Sequence, residues 1–125
     1  LWGGLMTIRA QVLESAGVVA DGYIRDTHEI LDLGFPTFAY GSFAQDQGSR
    51  GKVVDYRVPI EIQGIRITPG DLIFGDVDGV CIIPRDAEEA VFTAALEKAR
   101  GEQTVKKAIE GGMSAREAFD TYGIL

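Results

Sequence analysis

The chain has 125 residues, 46% hydrophobic and 25% charged, which is enough apolar material for the core of one domain spanning residues 1–125 and the wrong balance for a disordered chain. Twelve basic against nineteen acidic residues give an unclustered net charge of −7, which argues against nucleic acid and anionic membrane surfaces as partners. A single cysteine excludes an internal disulfide, and no apolar run suits a membrane span or a signal peptide, so a reducing cytoplasm is the expected setting.

From Leu5 to Ala16 the apolar residues Leu5, Ile8, Val12, Leu13 and Ala16 recur at helical spacing, with Gly17 as a stop. Gly17-Val18-Val19-Ala20 reads as a short buried strand ending at the turn Asp21-Gly22. A short helix is expected from Asp26 to Leu33, closed by Gly34, and then a strand from Phe35 to Tyr40. Residues 41–52, with three glycines, two serines and two glutamines, read as a loop. Val53–Val58, Ile60–Gln63 and Ile65–Thr68 are β-favouring, with Gln63-Gly64 as a turn between the last two. Pro69-Gly70-Asp71 is a turn, and Asp78-Gly79 is a hairpin signal between Leu72–Val77 and Val80–Pro84. Cys81 lies in the apolar run Val80-Cys81-Ile82-Ile83 and is expected to be a small buried hydrophobe. From Asp86 the chain is helical to Tyr122, broken at Gly111-Gly112. Strands and helices do not alternate strictly, so a mixed α/β unit is expected rather than a doubly wound parallel sheet.

Two pieces carry chemistry. Gly3-Gly4-Leu5-Met6 opens an amphipathic helix, and a first turn presents unpaired N–H groups and a positive dipole end to an anion. Arg25-Asp26-Thr27-His28-Glu29 places a fixed cation beside two carboxylates. Local sequence gives the second piece an ordinary reading too, as a capping box with Asp26 as N-cap and Glu29 reaching back. The chain supplies a control: Arg85-Asp86-Ala87-Glu88-Glu89 repeats the pattern, with Gly64 at a similar upstream distance. With 16 glycines in 125 residues, a glycine at any fixed offset is roughly a one-in-eight accident, so spacing alone is weak evidence. Context separates the copies, because Gly64 falls in a β-turn whereas Gly4 opens a helix and Arg25 follows a buried strand and a turn.

Several motifs in order resemble one family, the RraA-like family, which contains pyruvate-forming 4-hydroxy-4-methyl-2-oxoglutarate / 4-carboxy-4-hydroxy-2-oxoadipate aldolases. They are Gly3-Gly4-Leu5-Met6, Gly17 to Gly22, Arg25-Asp26-x-x-Glu29, Phe35-Pro36, Pro69-Gly70-Asp71-Leu72, and Gly75 to Val80 on to Ile83-Pro84-Arg85. The resemblance runs over nearly all of the chain. It implies a layered β/β/α domain of the swivelling type, assembled as a homotrimer or homohexamer. Family members are longer at the N-terminus, and with Leu1 in first place the natural chain is expected to extend upstream.

The resemblance also implies roles. The N–H groups of Gly3, Gly4, Leu5 and Met6 would bind a keto-acid carboxylate, Arg25 would grip the same pyruvyl group, and Asp26 would hold Mg²⁺ or Mn²⁺. Glu29 would order the waters of that ion, and Glu102 is a further candidate to complete the site. The implied reaction is retro-aldol cleavage of a 4-hydroxy-2-oxo di- or tricarboxylic acid to pyruvate. Oxaloacetate decarboxylation is expected beside it, since both pass through a pyruvate enolate whose charge a metal offsets. The base is Asp21 or a metal-bound water. The family also includes an inhibitor of ribonuclease E that acts by protein contact, so a regulator binding a basic partner is the competing expectation.

Other residues carry less. Lys52 sits in a polar loop, and Lys98, Lys106 and Lys107 lie in charged helix, so none suits a Schiff base. Arg50 is a candidate contact to a second substrate carboxylate. His28, the only histidine, is expected to face solvent, and no His/Cys cluster suggests zinc. Asp76-Val77-Asp78-Gly79 lacks the later ligands of a calcium loop.

Overall fold

The computed structural model describes residues 2–124 and confirms a mixed α/β fold. The chain divides into two compact units, one ending at Ile82 and one beginning at Ile83.

The first unit begins with α1, Gly4–Val12, which buries Thr7 and Ala10. It ends sooner than the apolar spacing predicts. Ser15 N–H bonds to Ala10 O and Glu14 N–H to Gln11 O, with Glu14 in the left-handed region at φ 59. That is the 6→1 and 5→2 pair of a Schellman stop, made with glutamate where glycine is usual. Gly17 serves a different purpose: a Cβ there would lie 2.8 Å from the carbonyl oxygen of Pro36, so its smallness lets two backbones approach.

Strands β1 (Val18–Val19) and β2 (Tyr23–Ile24) lead into α2 (Thr27–Asp32), after which β3 (Thr37–Phe38) and β4 (Gly41–Ser42) return. β1 pairs with β3 and β2 with β4, both parallel. Parallel neighbours need a crossover, and α2 supplies it. β2 and β4 were not legible in the sequence. Each is two residues long, and Gly41-Ser42 looks like loop by composition; its partner across the sheet makes it a strand. Trp2 adds a rung on the far side of β2 through a parallel bridge to Ile24, with Arg25 N–H donating to Trp2 O at 2.9 Å. The buried apolar side chains of this region are Ala10, Ile24, Ile30 and Phe35, and the Trp2 ring stacks on Phe35 at 6.4 Å.

The segment Val53–Val58 forms no strand. Val53 and Val54 are 85% and 86% exposed, and Arg57 turns left-handed at φ 57. β propensity without a pairing neighbour does not make a ladder. β5 (Ile60–Ile62) and β6 (Ile65–Ile67) form the expected antiparallel hairpin, with Gln63 and Gly64 at φ 51 and 80. Both central residues at positive φ mark a type I′ turn. At Pro69-Gly70 the Asp71 N–H donates to Thr68 O, and Asp71 Oδ2 accepts from Thr68 N–H at 2.7 Å. β7 (Leu72–Asp76) pairs with β8 (Gly79–Ile83), so the turn falls on Val77-Asp78, one residue before the expected Asp78-Gly79. In β8 Val80 and Ile82 are half-buried while Cys81 is exposed, contrary to expectation. A continuous apolar run suggested burial on both faces, but strand alternation sends Cys81 to the outer one.

The second unit has a 3-10 turn over Arg85–Ala87, then α3 (Glu88–Glu110) and α4 (Ala115–Tyr122) packed on each other around Val105 and Ala118. The expected break at Gly111-Gly112 is a second Schellman stop, here with Gly112 at φ 100. Gly101, a glycine inside a long helix, faces Ile124, and a Cβ would collide with that side chain.

Candidate functional site

The bridge from Trp2 to Ile24 sets the Gly3-Gly4 segment beside the end of β2, where Arg25 and Asp26 emerge. Trp2 is itself held by its indole N–H donating to Thr7 Oγ1 at 2.7 Å, while the Thr7 hydroxyl donates to Gly3 O. Thr7 is fully buried, so this corner is fixed by a satisfied polar group in the core.

Asp26 does not cap α2. It sits in the left-handed region at φ 58, ψ 37, and its side chain makes no bond to its own helix. Instead Asp26 Oδ2 accepts from Gly4 N–H at 3.0 Å, which caps the first turn of α1 from 22 residues away. Glu29 does not reach back to residue 26 either; its carboxylate lies over Gly4. A Cβ on Gly4 would collide with Glu29 Oε2, and one on Gly3 would come within 2.8 Å of Asp26 Oδ2. The two motifs that were far apart in sequence therefore form one interlocked unit. Both carboxylates sit at the positive end of α1, where the helix dipole favours them.

This arrangement corrects one expectation. Gly4 N–H is already used by Asp26, so it is not free for a ligand. The N–H groups of Leu5 and Met6 have no protein acceptor among the described residues and remain available.

Arg25 stands between two carboxylates. Its Nε lies 3.8 Å from Asp26 Oδ2 and its Nη1 lies 3.4 Å from Asp46 Oδ1. All three side chains are 45% exposed or more, so these pairs contribute orientation rather than much stability. Asp46 was not singled out in the sequence. Its carboxyl is held below the ordinary aspartate range first by the Gly48 N–H and then by Arg25. The only local signal was an aspartate two residues before a glycine, the pattern of an Asx turn.

These groups line an open cleft of about 470 Å³, to which Gly3, Leu5 and Met6, then Arg25 and Asp26, and loop residues including Asp46 and Lys52 contribute. Lys52, set aside as a Schiff-base residue, reaches the cleft as an exposed cation. Arg50 is turned to its own loop, donating to Asp46 O and Ser49 Oγ. Asp21 lies outside the lining and accepts a hydrogen bond from the Tyr40 hydroxyl, which raises the tyrosine pKa. His28 faces solvent. Glu102 belongs to the second unit, where it pairs with Lys98 at 3.7 Å. The second Arg-Asp-x-x-Glu copy is split between a 3-10 turn and α3, and its Gly64 lies in the β5–β6 hairpin rather than at a helix start.

Among the described residues no three His, Cys, Asp or Glu side chains gather to cage a metal. What is present fits a water-rich divalent site of the magnesium type: one carboxylate, Asp26, whose protein contacts both fall on Oδ2 and leave Oδ1 open.

A family model described as "RraA-like: Aldolase/RraA" matches residues 1–82. A protein of Halalkalibacterium halodurans, named as a candidate 4-hydroxy-4-methyl-2-oxoglutarate aldolase, is 38% identical over 110 residues, covering 88% of this chain and 52% of its own. The crystal structure of an uncharacterized protein from Pseudomonas syringae superposes with a TM-score of 0.92 at 31% identity, over 94% of this chain and 59% of that one. An unusual member of the RNase ES inhibitor RraA protein family from Streptomyces coelicolor gives 0.78 at 26% identity, over 86% and 55%. The chain thus spans about half the length of these relatives.

Proposed function

The chain belongs to the RraA-like family, and from that premise we propose that it acts as a divalent-metal-dependent lyase. It would cleave a 4-hydroxy-2-oxo di- or tricarboxylic acid to pyruvate and decarboxylate oxaloacetate as a side reaction. The observation that carries this reading is the Gly3-Gly4/Asp26/Glu29 interlock beside Arg25, which brings a carboxylate, a guanidinium and free helix N–H groups to one cleft.

Arg25 offers a two-pronged grip on a carboxylate or keto oxygen, with a fixed charge opposite the negative charge that develops there. The Leu5 and Met6 N–H groups add a second anchor at the positive end of α1. Asp26 would hold Mg²⁺ or Mn²⁺, which supplies Lewis-acid polarisation of the keto oxygen when bound. Glu29, beside it, would accept hydrogen bonds from the surrounding waters. Asp21 accepts from Tyr40 and is not among the cleft lining, which favours a water in the cleft as acceptor of the substrate alcohol proton.

Pyruvate release from hydroxy-keto diacids and from oxaloacetate, measured with Mg²⁺ and with EDTA, tests the proposal. Absence of metal-dependent turnover on all of them would end it. The net charge of −7, with the likeness to a ribonuclease-inhibitor structure, supports a second reading as a regulator docking on a basic partner. That reading predicts saturable binding to ribonuclease E without turnover.

A further inference from the structure

Lys52 is the one basic side chain of the cleft lining other than Arg25, and it makes no ion pair among the described residues. Arg25, by contrast, is occupied: Asp46 from the same loop as Lys52 holds its Nη1 at 3.4 Å. A carboxylate approaching Nη1 competes with that internal carboxylate, which reduces what this nitrogen can contribute. A ligand with a second carboxylate would additionally meet the unpaired ammonium of Lys52 in the same cleft.

We propose that Lys52 determines specificity by binding the distal carboxylate of a keto diacid, with Asp46 as a competitor at Nη1 of Arg25. The inference rests on the keto-acid reading of the cleft. It replaces Arg50 as the second cation, because Arg50 is not part of the cleft lining and turns its Nη1 to the Asp46 carbonyl and Ser49. A flexible ammonium suits this task, since it tolerates distal carboxylates on chains of different length where a guanidinium fork would fix one geometry.

The test uses a matched pair of non-cleavable ligands, 2-oxoglutarate and 2-oxopentanoate, which share a chain length and differ in the distal carboxylate. Their affinities are measured by titration calorimetry in the presence of Mg²⁺. Wild type should prefer 2-oxoglutarate. Lys52→Met should weaken it by roughly tenfold while moving 2-oxopentanoate by less than about twofold, and Lys52→Arg should restore most of the loss. Asp46→Asn should tighten both ligands alike. Equal weakening of both ligands by Lys52→Met, or no wild-type preference, overturns the Lys52 assignment and leaves the keto-acid site standing. Failure of wild type to bind either ligand overturns the keto-acid reading and this inference with it.

Discussion

Two helices carry at the N-cap an acceptor residue followed three positions later by glutamate, and they fold differently. At Ser114–Glu117 the box closes on itself: Glu117 N–H donates to Ser114 Oγ at 3.2 Å, and Glu117 Oε2 accepts from Ser114 N–H at 3.0 Å. At Asp26–Glu29 neither bond forms, because Asp26 is left-handed and both carboxylates are turned to Gly4 on another helix. A residue other than glycine in that conformation costs energy that its surroundings must justify. The difference teaches that a capping signature is spent locally when nothing competes for its side chains. It is redirected when a neighbouring segment offers unpaired N–H groups.

The largest expected effect comes from Asp26→Asn, since asparagine tolerates the same left-handed backbone while losing the charge. Metal-dependent turnover should fall by at least about 100-fold, with circular dichroism and melting temperature close to wild type. Loss of the fold instead would return Asp26 to the role of an ordinary cap and erase the contrast. Gly4→Ala should come next. The atoms nearest its Cβ are those of the Glu29 carboxylate, which can swing away, so stability should hold while turnover falls roughly tenfold or more through misplacement. A Gly4→Ala/Glu29→Ala double variant that is no less active than Glu29→Ala alone would show that the two act through one contact.

Ser114→Ala should do the reverse, costing about 1 kcal/mol of stability and leaving turnover intact. The smallest effect is on pH. The Glu117 carboxyl is lowered by the hydroxyl and N–H of Ser114. A lowered folded-state value means its contribution is complete above the ordinary glutamate range, about pH 4.3, and is lost as pH falls through the folded value. Backbone chemical shifts of Ala115 to Glu117 should follow that loss, and Glu117→Gln should abolish it.

Periodic and turn signals were legible where local chemistry decides the outcome. The β5–β6 hairpin stands on Gln63-Gly64, and the helix break stands on Gly111-Gly112. What escaped was decided by partners distant in sequence. β2 and β4 exist because they pair with each other, Val53–Val58 lacks such a partner, and Cys81 is placed by strand register. The same division holds at the site. Arg25, Asp26, Glu29 and the glycine pair were recognisable as motifs, but that Gly4 N–H is consumed by Asp26 is a contact across 22 residues. Asp46 and Lys52 enter only through the path of a loop whose composition fixes no path.

The glycine pair has a consequence for anyone moving this chemistry elsewhere. Arg25, Asp26 and Glu29 on a transplanted strand and helix would arrive without their seat, since two of them rest where a methyl group at residue 3 or 4 would displace them. The smallest portable unit is therefore discontinuous: the edge rung at Trp2, the two glycines with the first turn of α1, and β2 running into α2.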